Sequence, residues 1–127
     1  MGFYLSQRSK NALVGVHPDL VRVVKRAIQL TKVDFVVTQG VRTLAQQHKL
    51  MDAGATRTMR SRHLTGHAVD LAALIGKEVR WDWPLYTKLA EAMKAAGKEL
   101  GIPIEWGGDW KSFKDGPHFQ LPWSSHP

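Results

Sequence analysis

The sequence contains no cysteine, which excludes disulfide bonds and thiolate metal sites. It also lacks long apolar runs: none reaches the about 20 residues that a transmembrane helix needs, so we expect no stable membrane insertion. The first eight residues have no apolar core of signal-peptide length, so we expect the chain to be made and kept in the cytoplasm. Acidic residues are few, 11 against 18 basic ones, which gives a formal net charge of +7.

A positive surface favours polyanionic partners such as nucleic acid, acidic lipid or bacterial cell wall. The basic residues are scattered over the chain and cluster only from Arg57 to Arg62, so charge alone does not distinguish these partners. Helix-turn-helix spacing, RNA-binding signatures and aromatic–basic stripes are all missing, so we expect no nucleic-acid partner. The length of 127 residues and the hydrophobic content of 43% fit one monomeric domain over residues 1–127 with a single core.

Apolar residues at helical spacing predict three helices. The first runs from about 18 to 30, and the second from about 44 to 53. A capping box formed by Thr43 and Gln46 marks the start of the second helix. The third runs from about 82 to 100, after which glycine and proline end it.

Short apolar and β-branched runs predict four strands, at 35–38, 68–74, 102–106 and 117–121. Residues 55–62 have no clean period and are predicted to form an exposed basic loop, and we expect residues 124–127 to be frayed. The order helix, strand, helix, strand, helix, strand, strand predicts an α+β domain. About three helices would pack on a small, mostly antiparallel sheet.

Three of the six histidines lie beside glycines or at strand ends, where side chains can converge: His63, His67 and His118. The other three are predicted to be solvated surface residues: His17, His48 and His126. His63 and His67 are four residues apart, but the zincin pattern requires Glu where this chain has Leu64. In a strand from 67 to 71, His67 and Asp70 would lie on opposite faces, so His63 is the better partner of Asp70.

A set of His63, Asp70 and His118 leaves one position open for water, which is the arrangement of a catalytic zinc site. Zinc there would lower the pKa of water to about 7 and polarise a carbonyl. Asp115 could reach that water as a general base, and Arg42 could bind a substrate carboxylate or an oxyanion. From spacing alone, structural histidines and a simple turn at Asp115 would also account for these residues.

Two motifs of this chain carry a family resemblance: Ser61-x-His63-x-x-Gly66-x-Ala68-x-Asp70 and Asp115-x-x-His118. Together they resemble the signature of the D-alanyl-D-alanine carboxypeptidase/dipeptidase family of zinc peptidases. The likeness is closer to its phage branch, the L-alanyl-D-glutamate endopeptidases that serve as endolysins. It extends to residues 37–43 and 96–102, and so covers most of the chain from about 18 to 121.

The resemblance implies one Zn²⁺ ion with three ligands, His63, Asp70 and His118. It implies that Asp115 is the catalytic base and that Arg42 contacts substrate and stabilises the transition state. Ser61 would hold substrate or shape the metal loop, which is the segment around the ligand His63. His67 falls on a variable position. The implied fold is the small α+β zinc-peptidase fold shared with the hedgehog signalling domain.

The resemblance implies a zinc-dependent peptidase that cleaves peptidoglycan stem peptides, most closely at the L-Ala–D-Glu bond, as a phage or prophage lysis enzyme. Such an enzyme would wait in the host cytoplasm until lysis and then act on the cell wall. A D,D-carboxypeptidase or dipeptidase acting on D-Ala-D-Ala, and a non-catalytic wall-binding module, stay open as alternatives. With no separate wall-binding domain in the sequence, the basic surface would attract the acidic wall, and the five tryptophans would form core and cleft walls.

Overall fold

A computed structural model describes residues 2–54 and 61–127, so the predicted loop at 55–60 lies outside the described residues. The helices in the described part are α1 (Gln7–Ala12), α2 (Pro18–Leu30), α3 (Leu44–Asp52) and α4 (Trp83–Leu100). The strands are β1 (Asp34–Gln39), β2 (Ala68–Ile75), β3 (Glu78–Arg80), β4 (Glu105–Trp106) and β5 (His118–Gln120). Two short 3₁₀ helices, Arg62–Thr65 and Gly107–Asp109, complete the set.

The five strands form one sheet in the order β1-β2-β5-β4, with β3 paired to the second half of β2. Every strand pair among them is antiparallel. Asp70 on β2 lies opposite Gln39 of β1 on one side and opposite His118 of β5 on the other. Directly opposed residues share a face of the sheet, so these three side chains form a row across three strands.

The opposite face of the sheet is covered by helices and forms the core. Val69 and Leu71 of β2 flank Asp70 in sequence, point the other way, and are fully buried. They pack in one cluster with the apolar stripe of α2, which includes Leu20 and Val24, and with Met93 of α4. The sheet therefore has an apolar face toward α2 and α4 and a polar face that holds the predicted site residues Asp70 and His118.

The predicted α+β fold with a small antiparallel sheet is confirmed. The helix predicted at 18–30 is present with the same bounds as α2. Both hydrogen bonds of the predicted capping box between Thr43 and Gln46 are also present. Sequence reasoning missed α1 and β3, which are only six and three residues long. The predicted strand 102–106 is wrong over most of its length, because only Glu105–Trp106 pairs with β5 and Pro103 has no N–H to donate.

Two expectations about exposed segments are also wrong. Arg62 belongs to a 3₁₀ helix and is only 3% exposed, because its guanidinium donates to the backbone oxygens of Leu121 and His126. Residues 124–127 are not frayed, since the amides of Ser125 and His126 both donate to the oxygen of Pro122. A local turn thus orders the C-terminal residues, and the long-range hydrogen bonds of Arg62, which no local pattern encodes, join the two segments.

The tryptophans divide between core, cleft and open surface. Trp106 is buried, and Trp110 and Trp123 line the cleft, as predicted for core and cleft walls. Trp81 and Trp83 are largely exposed, which corrects the expectation that all five are enclosed. In the described part of the chain, no helix combines the length and apolar character needed to cross a bilayer.

Candidate metal centre and active site

Side chains from two distant chain segments, 63–70 and 118, converge at the polar face of the sheet. His63, Asp70 and His118 each offer one ligand atom, and these atoms all lie within 4.8 Å of one another. His63 Nε2 lies 3.2 Å from Asp70 Oδ1, and His118 Nδ1 lies 3.4 Å from the same oxygen. The structure thus brings together the three residues predicted as metal ligands.

The 3₁₀ helix Arg62–Thr65 holds His63 in place. Ser61 caps this helix, its Oγ accepting from the backbone N–H of His63 at 3.2 Å. Gly66 ends it with a φ of +76°, and a Cβ there would lie 2.6 Å from the backbone oxygen of Gly15. The Nδ1 atom of His63 donates to the oxygen of Gly40 at 2.8 Å, which turns Nε2 toward Asp70.

His118 is oriented from behind by a chain of hydrogen bonds. Its Nε2 lies 2.8 Å from Gln120 Oε1, and the amide nitrogen of Gln120 donates to Glu105 Oε2 at 3.0 Å. Trp110 Nε1 donates to the same Glu105 oxygen at 3.2 Å. Because Glu105 fixes the amide, Gln120 presents its oxygen to the ring, so Nε2 carries the proton and Nδ1 keeps its lone pair toward Asp70.

The donor set therefore fits a cation. Two imidazole lone pairs and a carboxylate oxygen face each other, an arrangement that is repulsive until a positive charge lies between them. If protons occupy these two ring nitrogens instead of a metal, burial still works to raise the pKa of Asp70, but hydrogen bonds from His118 and His63 and their charges hold it well below its usual range. Burial works to lower the pKa of His118, but the Asp70 carboxylate outweighs it and the net shift is upward. Nitrogen and oxygen donors without thiolate suit zinc.

Asp115 opens into the same cleft, between the 3₁₀ helix Gly107–Asp109 and β5. The backbone N–H of Asp115 donates to the backbone oxygen of Gly107 at 3.0 Å, and the backbone oxygen of Asp115 accepts from the backbone N–H of His118 at 3.2 Å. Desolvation at the cleft wall, together with the negative charge of Asp70, raises the pKa of Asp115. A carboxylate with a raised pKa beside a metal-ligand cluster has the properties of a general base.

Arg42 lies between β1 and α3 and is held by two amide oxygens. It donates to Gln47 Oε1 at 2.6 Å and to Gln39 Oε1 at 2.7 Å, and its Nη2 lies 4.0 Å from Asp70 Oδ2. Ser61 Oγ is 3.4 Å from Nη1. Burial lowers the pKa of Arg42, and within the described residues its Nε is a buried polar atom without a partner. A preorganised cation with an unused donor can stabilise a negative charge.

The cleft over these residues has a volume of about 570 Å³. Its lining includes all six predicted site residues, Arg42, Ser61, His63, Asp70, Asp115 and His118. Sequence reasoning did not single out the polar residues that support them, Gln39, Glu105 and Gln120, although it did predict tryptophans as cleft walls. Strand alternation from His118 could have found Gln120, because it lies two residues on and shares that face.

The remaining histidines lie outside this cluster. His67 precedes β2, and its ring centroid is 5.3 Å from that of His17, which agrees with its exclusion from the ligand set. His48 is exposed on α3, as predicted. His17 and His126 are not simple solvated surface residues, because their rings contact each other and both lie close to Asp19.

Comparison with known proteins identifies the family. Residues 1–121 match the model of the phage L-alanyl-D-glutamate peptidase family. The L-alanyl-D-glutamate peptidase of Escherichia phage T5 is 35% identical over 119 residues, 91% of this chain and 87% of that protein. The enzyme of the same name from Listeria phage A118 is 38% identical over 70% of this chain and 31% of its own length.

A solved structure gives the same answer. The crystal structure of the L-Ala D-Glu endopeptidase ChiX of Serratia marcescens is 49% identical and superposes with a TM-score of 0.93, covering 97% of this chain and 92% of that chain. These matches confirm the resemblance that the two sequence motifs indicated, together with the fold and enzyme class it implied. The chain belongs to the phage L-alanyl-D-glutamate peptidase family.

Proposed function

We propose that this chain is a zinc-dependent peptidase that cleaves the L-Ala–D-Glu bond of peptidoglycan stem peptides and thereby helps a phage to lyse its host. The convergence of His63, Asp70 and His118 in the cleft that also holds Asp115 and Arg42 carries the proposal. The relatives named as L-alanyl-D-glutamate peptidases support the choice of bond.

His63 Nε2, His118 Nδ1 and a carboxylate oxygen of Asp70 would hold the zinc ion. When bound, zinc supplies a Lewis acid that polarises the scissile carbonyl and makes water more acidic. The protein's own contribution is orientation, because Gly40 and Gln120 hold the far nitrogens of the two rings. Such outer hydrogen bonds fix the tautomer and raise the basicity of the ligand.

Asp115 is the base in this proposal. Its carboxylate takes one proton from the attacking water while the water oxygen bonds to the carbonyl carbon of L-Ala. The same carboxyl then gives the proton to the amide nitrogen of D-Glu as the C–N bond breaks, which leaves a carboxylate on L-Ala and a free amine on D-Glu. The raised pKa of Asp115 suits the first step, because a carboxylate that binds its proton more tightly is the stronger base toward water.

Arg42 is proposed to stabilise the negative charge that develops on the carbonyl oxygen or to hold a carboxylate of the stem peptide. Gln39 and Gln47 already fix the guanidinium plane, so little side-chain freedom is lost when substrate binds. Ser61 caps the helix that carries His63 and contacts Arg42, so it links the metal loop to the substrate arginine.

The positive surface is proposed to provide attraction to the acidic wall. The formal net charge is +7, and attraction between exposed charges weakens once salt shortens the Debye length to about 8 Å. Sedimentation of the protein with purified sacculi should fall steeply as salt rises. Binding that is independent of salt would contradict this part of the proposal.

The decisive experiment is digestion of purified peptidoglycan followed by mass spectrometry of the new amino termini. A new N-terminal D-Glu is expected. Release of free D-Ala instead would reject the L-Ala–D-Glu assignment and point to D,D-carboxypeptidase activity.

Asp115→Asn separates catalysis from binding. The variant should keep zinc and fold while hydrolysis falls by at least about 100-fold, the contribution typical of a general base. Asp82→Asn is the matched control, because Asp82 pairs with Arg80 on the exposed surface. If Asp115→Asn hydrolyses peptidoglycan as fast as the wild type, Asp115 is not the general base. If the wild-type protein binds sacculi but does not hydrolyse them, the chain is a binding module.

A further inference from the structure

A second cluster of ligand-type side chains lies at the start of α2, outside the cleft. His17, Asp19 and His126 each offer one ligand atom, and these atoms all lie within 4.8 Å of one another. The shortest contact joins His126 Nε2 to Asp19 Oδ2 at 3.0 Å. The His17 ring contacts that of His126 edge-on, with 5.1 Å between centroids. None of the three lines the catalytic cleft.

The ring of His126 lies between a hydroxyl and a carboxylate. Ser125 Oγ is 2.9 Å from His126 Nδ1 and 3.3 Å from the oxygen of Pro122. When the ring carries its proton on Nδ1, Oγ accepts it and the lone pair of Nε2 faces the Asp19 carboxylate at 3.0 Å, an arrangement that a cation between the two atoms stabilises. When the proton lies on Nε2, the ring donates to Asp19 instead, and metal binding displaces that proton.

His67 lies beside this cluster. Thr65 Oγ1 is 2.7 Å from His67 Nδ1 and 3.2 Å from the oxygen of Arg62. Burial, followed by the positive charge of Arg62 and the neighbouring His17, lowers the pKa of His67. A neutral imidazole with a free lone pair is the form that binds metals.

We propose that His126, Asp19 and His17 form a second metal site, for a divalent transition-metal ion of the zinc class, with His67 adjacent as a further imidazole. Nitrogen and oxygen donors without thiolate select this class. His17 now accepts the N–H of Asp19 at Nδ1 as the cap of α2, at 3.1 Å.

We expect the second site to bind metal more weakly than the catalytic cluster. Its three ligands are only partly buried, whereas His63 and His118 are buried. Arg22 lies 3.5 Å from the other oxygen of Asp19 and competes for its charge. We therefore expect the catalytic cluster to fill first and the second cluster at higher free metal concentration.

An ion at this position would tie segment 121–126 to the start of α2. That segment already accepts hydrogen bonds from Arg62, and His17 N–H donates to the oxygen of Gly66 at 2.8 Å, next to the metal loop. Trp123, which the Arg62 guanidinium covers at 4.0 Å, lines the catalytic cleft. The second ion would hold the segment that carries one cleft wall.

The test is metal stoichiometry on the untagged full chain, stripped with chelator and titrated with zinc alone. Calorimetry and elemental analysis should give two ions per wild-type chain. His126→Ala should retain one, His118→Ala should retain one, and the double variant none. Asp19→Asn repeats the loss through another ligand, and His48→Ala is the matched control that keeps two. Circular dichroism checks that each variant is folded.

A single ion in the wild type at saturating zinc would overturn the proposal, and so would two ions in folded His126→Ala. Nitrogen NMR of the His126 ring gives an independent answer. Zinc should shift Nε2 while Nδ1 stays protonated. A ring that stays doubly protonated through the titration would assign the pair with Asp19 to a salt bridge instead. None of these measurements involves hydrolysis, so they are independent of the proposed catalytic function.

Discussion

Gln120 Oε1 lies 2.8 Å from His118 Nε2, on the edge of the ring that faces away from Asp70. Glu105 fixes the Gln120 amide from the neighbouring strand, where the two residues are direct cross-strand partners. The orientation of the candidate metal ligand His118 thus depends on the cross-strand pair of Glu105 and Gln120. Substituting either residue should therefore change the affinity for metal.

Gln120→Ala is expected to weaken zinc binding by about 10- to 100-fold, because His118 loses the acceptor that fixes its tautomer. Competition against a chromophoric chelator measures the change. Gln29→Ala, at an exposed position on α2, is the control and should bind zinc as the wild type does. Equal zinc affinity in folded Gln120→Ala and wild type would show that Gln120 does not support His118.

Asp115 is expected to titrate above the ordinary range of aspartate in the metal-free protein, because desolvation and the charge of Asp70 both oppose its ionisation. Zinc loading should lower this pKa, since a bound cation offsets the negative charge of Asp70. Carboxyl ¹³C NMR across a pH series, with and without zinc, measures both values. A pKa in the usual aspartate range without zinc would contradict the electrostatic role given to Asp70.

The same shift has a consequence for stability. A folded-state pKa above the unfolded value means that the folded state binds the proton more tightly, so stability falls as pH rises from the unfolded pKa through the folded one. Above the folded-state pKa this loss is complete. Metal-free Asp115→Asn should therefore melt at a higher temperature than metal-free wild type at pH 7, and the difference should shrink at acid pH.

The exposed control Asp82→Asn should change the free energy of unfolding by no more than about 0.5 kcal/mol. If Asp115→Asn melts below the wild type across the whole pH range, the Asp115 carboxylate stabilises the fold, and the expected cost of ionisation is wrong.

Gly40→Ala is expected to lower both stability and zinc affinity. A Cβ at Gly40 would lie 2.1 Å from the backbone oxygen of Ala12, and overpacking of this kind costs about 1 to 3 kcal/mol. Moving Gly40 also moves the oxygen that accepts from His63 Nδ1. Denaturant unfolding and chelator competition measure the two effects.

Gly76→Ala is the matched glycine control. Gly76 has a φ of +64°, but no atom lies within 4 Å of a Cβ built there, so only backbone strain of about 1 to 2 kcal/mol is expected. Its zinc affinity should equal that of the wild type. If Gly40→Ala also binds zinc as tightly as the wild type, the Gly40 oxygen does not determine the position of His63.

Local patterns were sufficient wherever the interaction itself is local. The apolar stripe of α2 and the Thr43–Gln46 capping box depend on residues three or four apart, and both were predicted. Alternation along β2 also placed His67 and Asp70 apart. The family motifs named three candidate ligands that the structure brings together, although their roles as zinc ligands stay predictions.

Interactions between distant segments could not be predicted. Arg62 is buried because of carbonyls at Leu121 and His126, about half the chain away, and His17 approaches His126 across 109 residues of sequence. The short helix α1 has no apolar period, and it is tied to β1 when Ser9 Oγ accepts from Val37 N–H at 2.9 Å. These features depend on the finished fold, so neither periodicity nor motif spacing encodes them.

The row of Gln39, Asp70 and His118 across three strands means that the candidate metal centre exists only once the sheet is paired. Asp70 lies on the shared middle strand, and its partners come from strands 31 residues before it and 48 residues after it in sequence. Without the pairing of β2 and β5, Asp70 and His118 are not brought together, and without that of β1 and β2, the Gly40 oxygen is not placed to orient His63. The amounts of zinc bound and of substrate hydrolysed would then be proportional to the number of folded molecules. The specific activity of a preparation would therefore measure the fraction of the protein that is native.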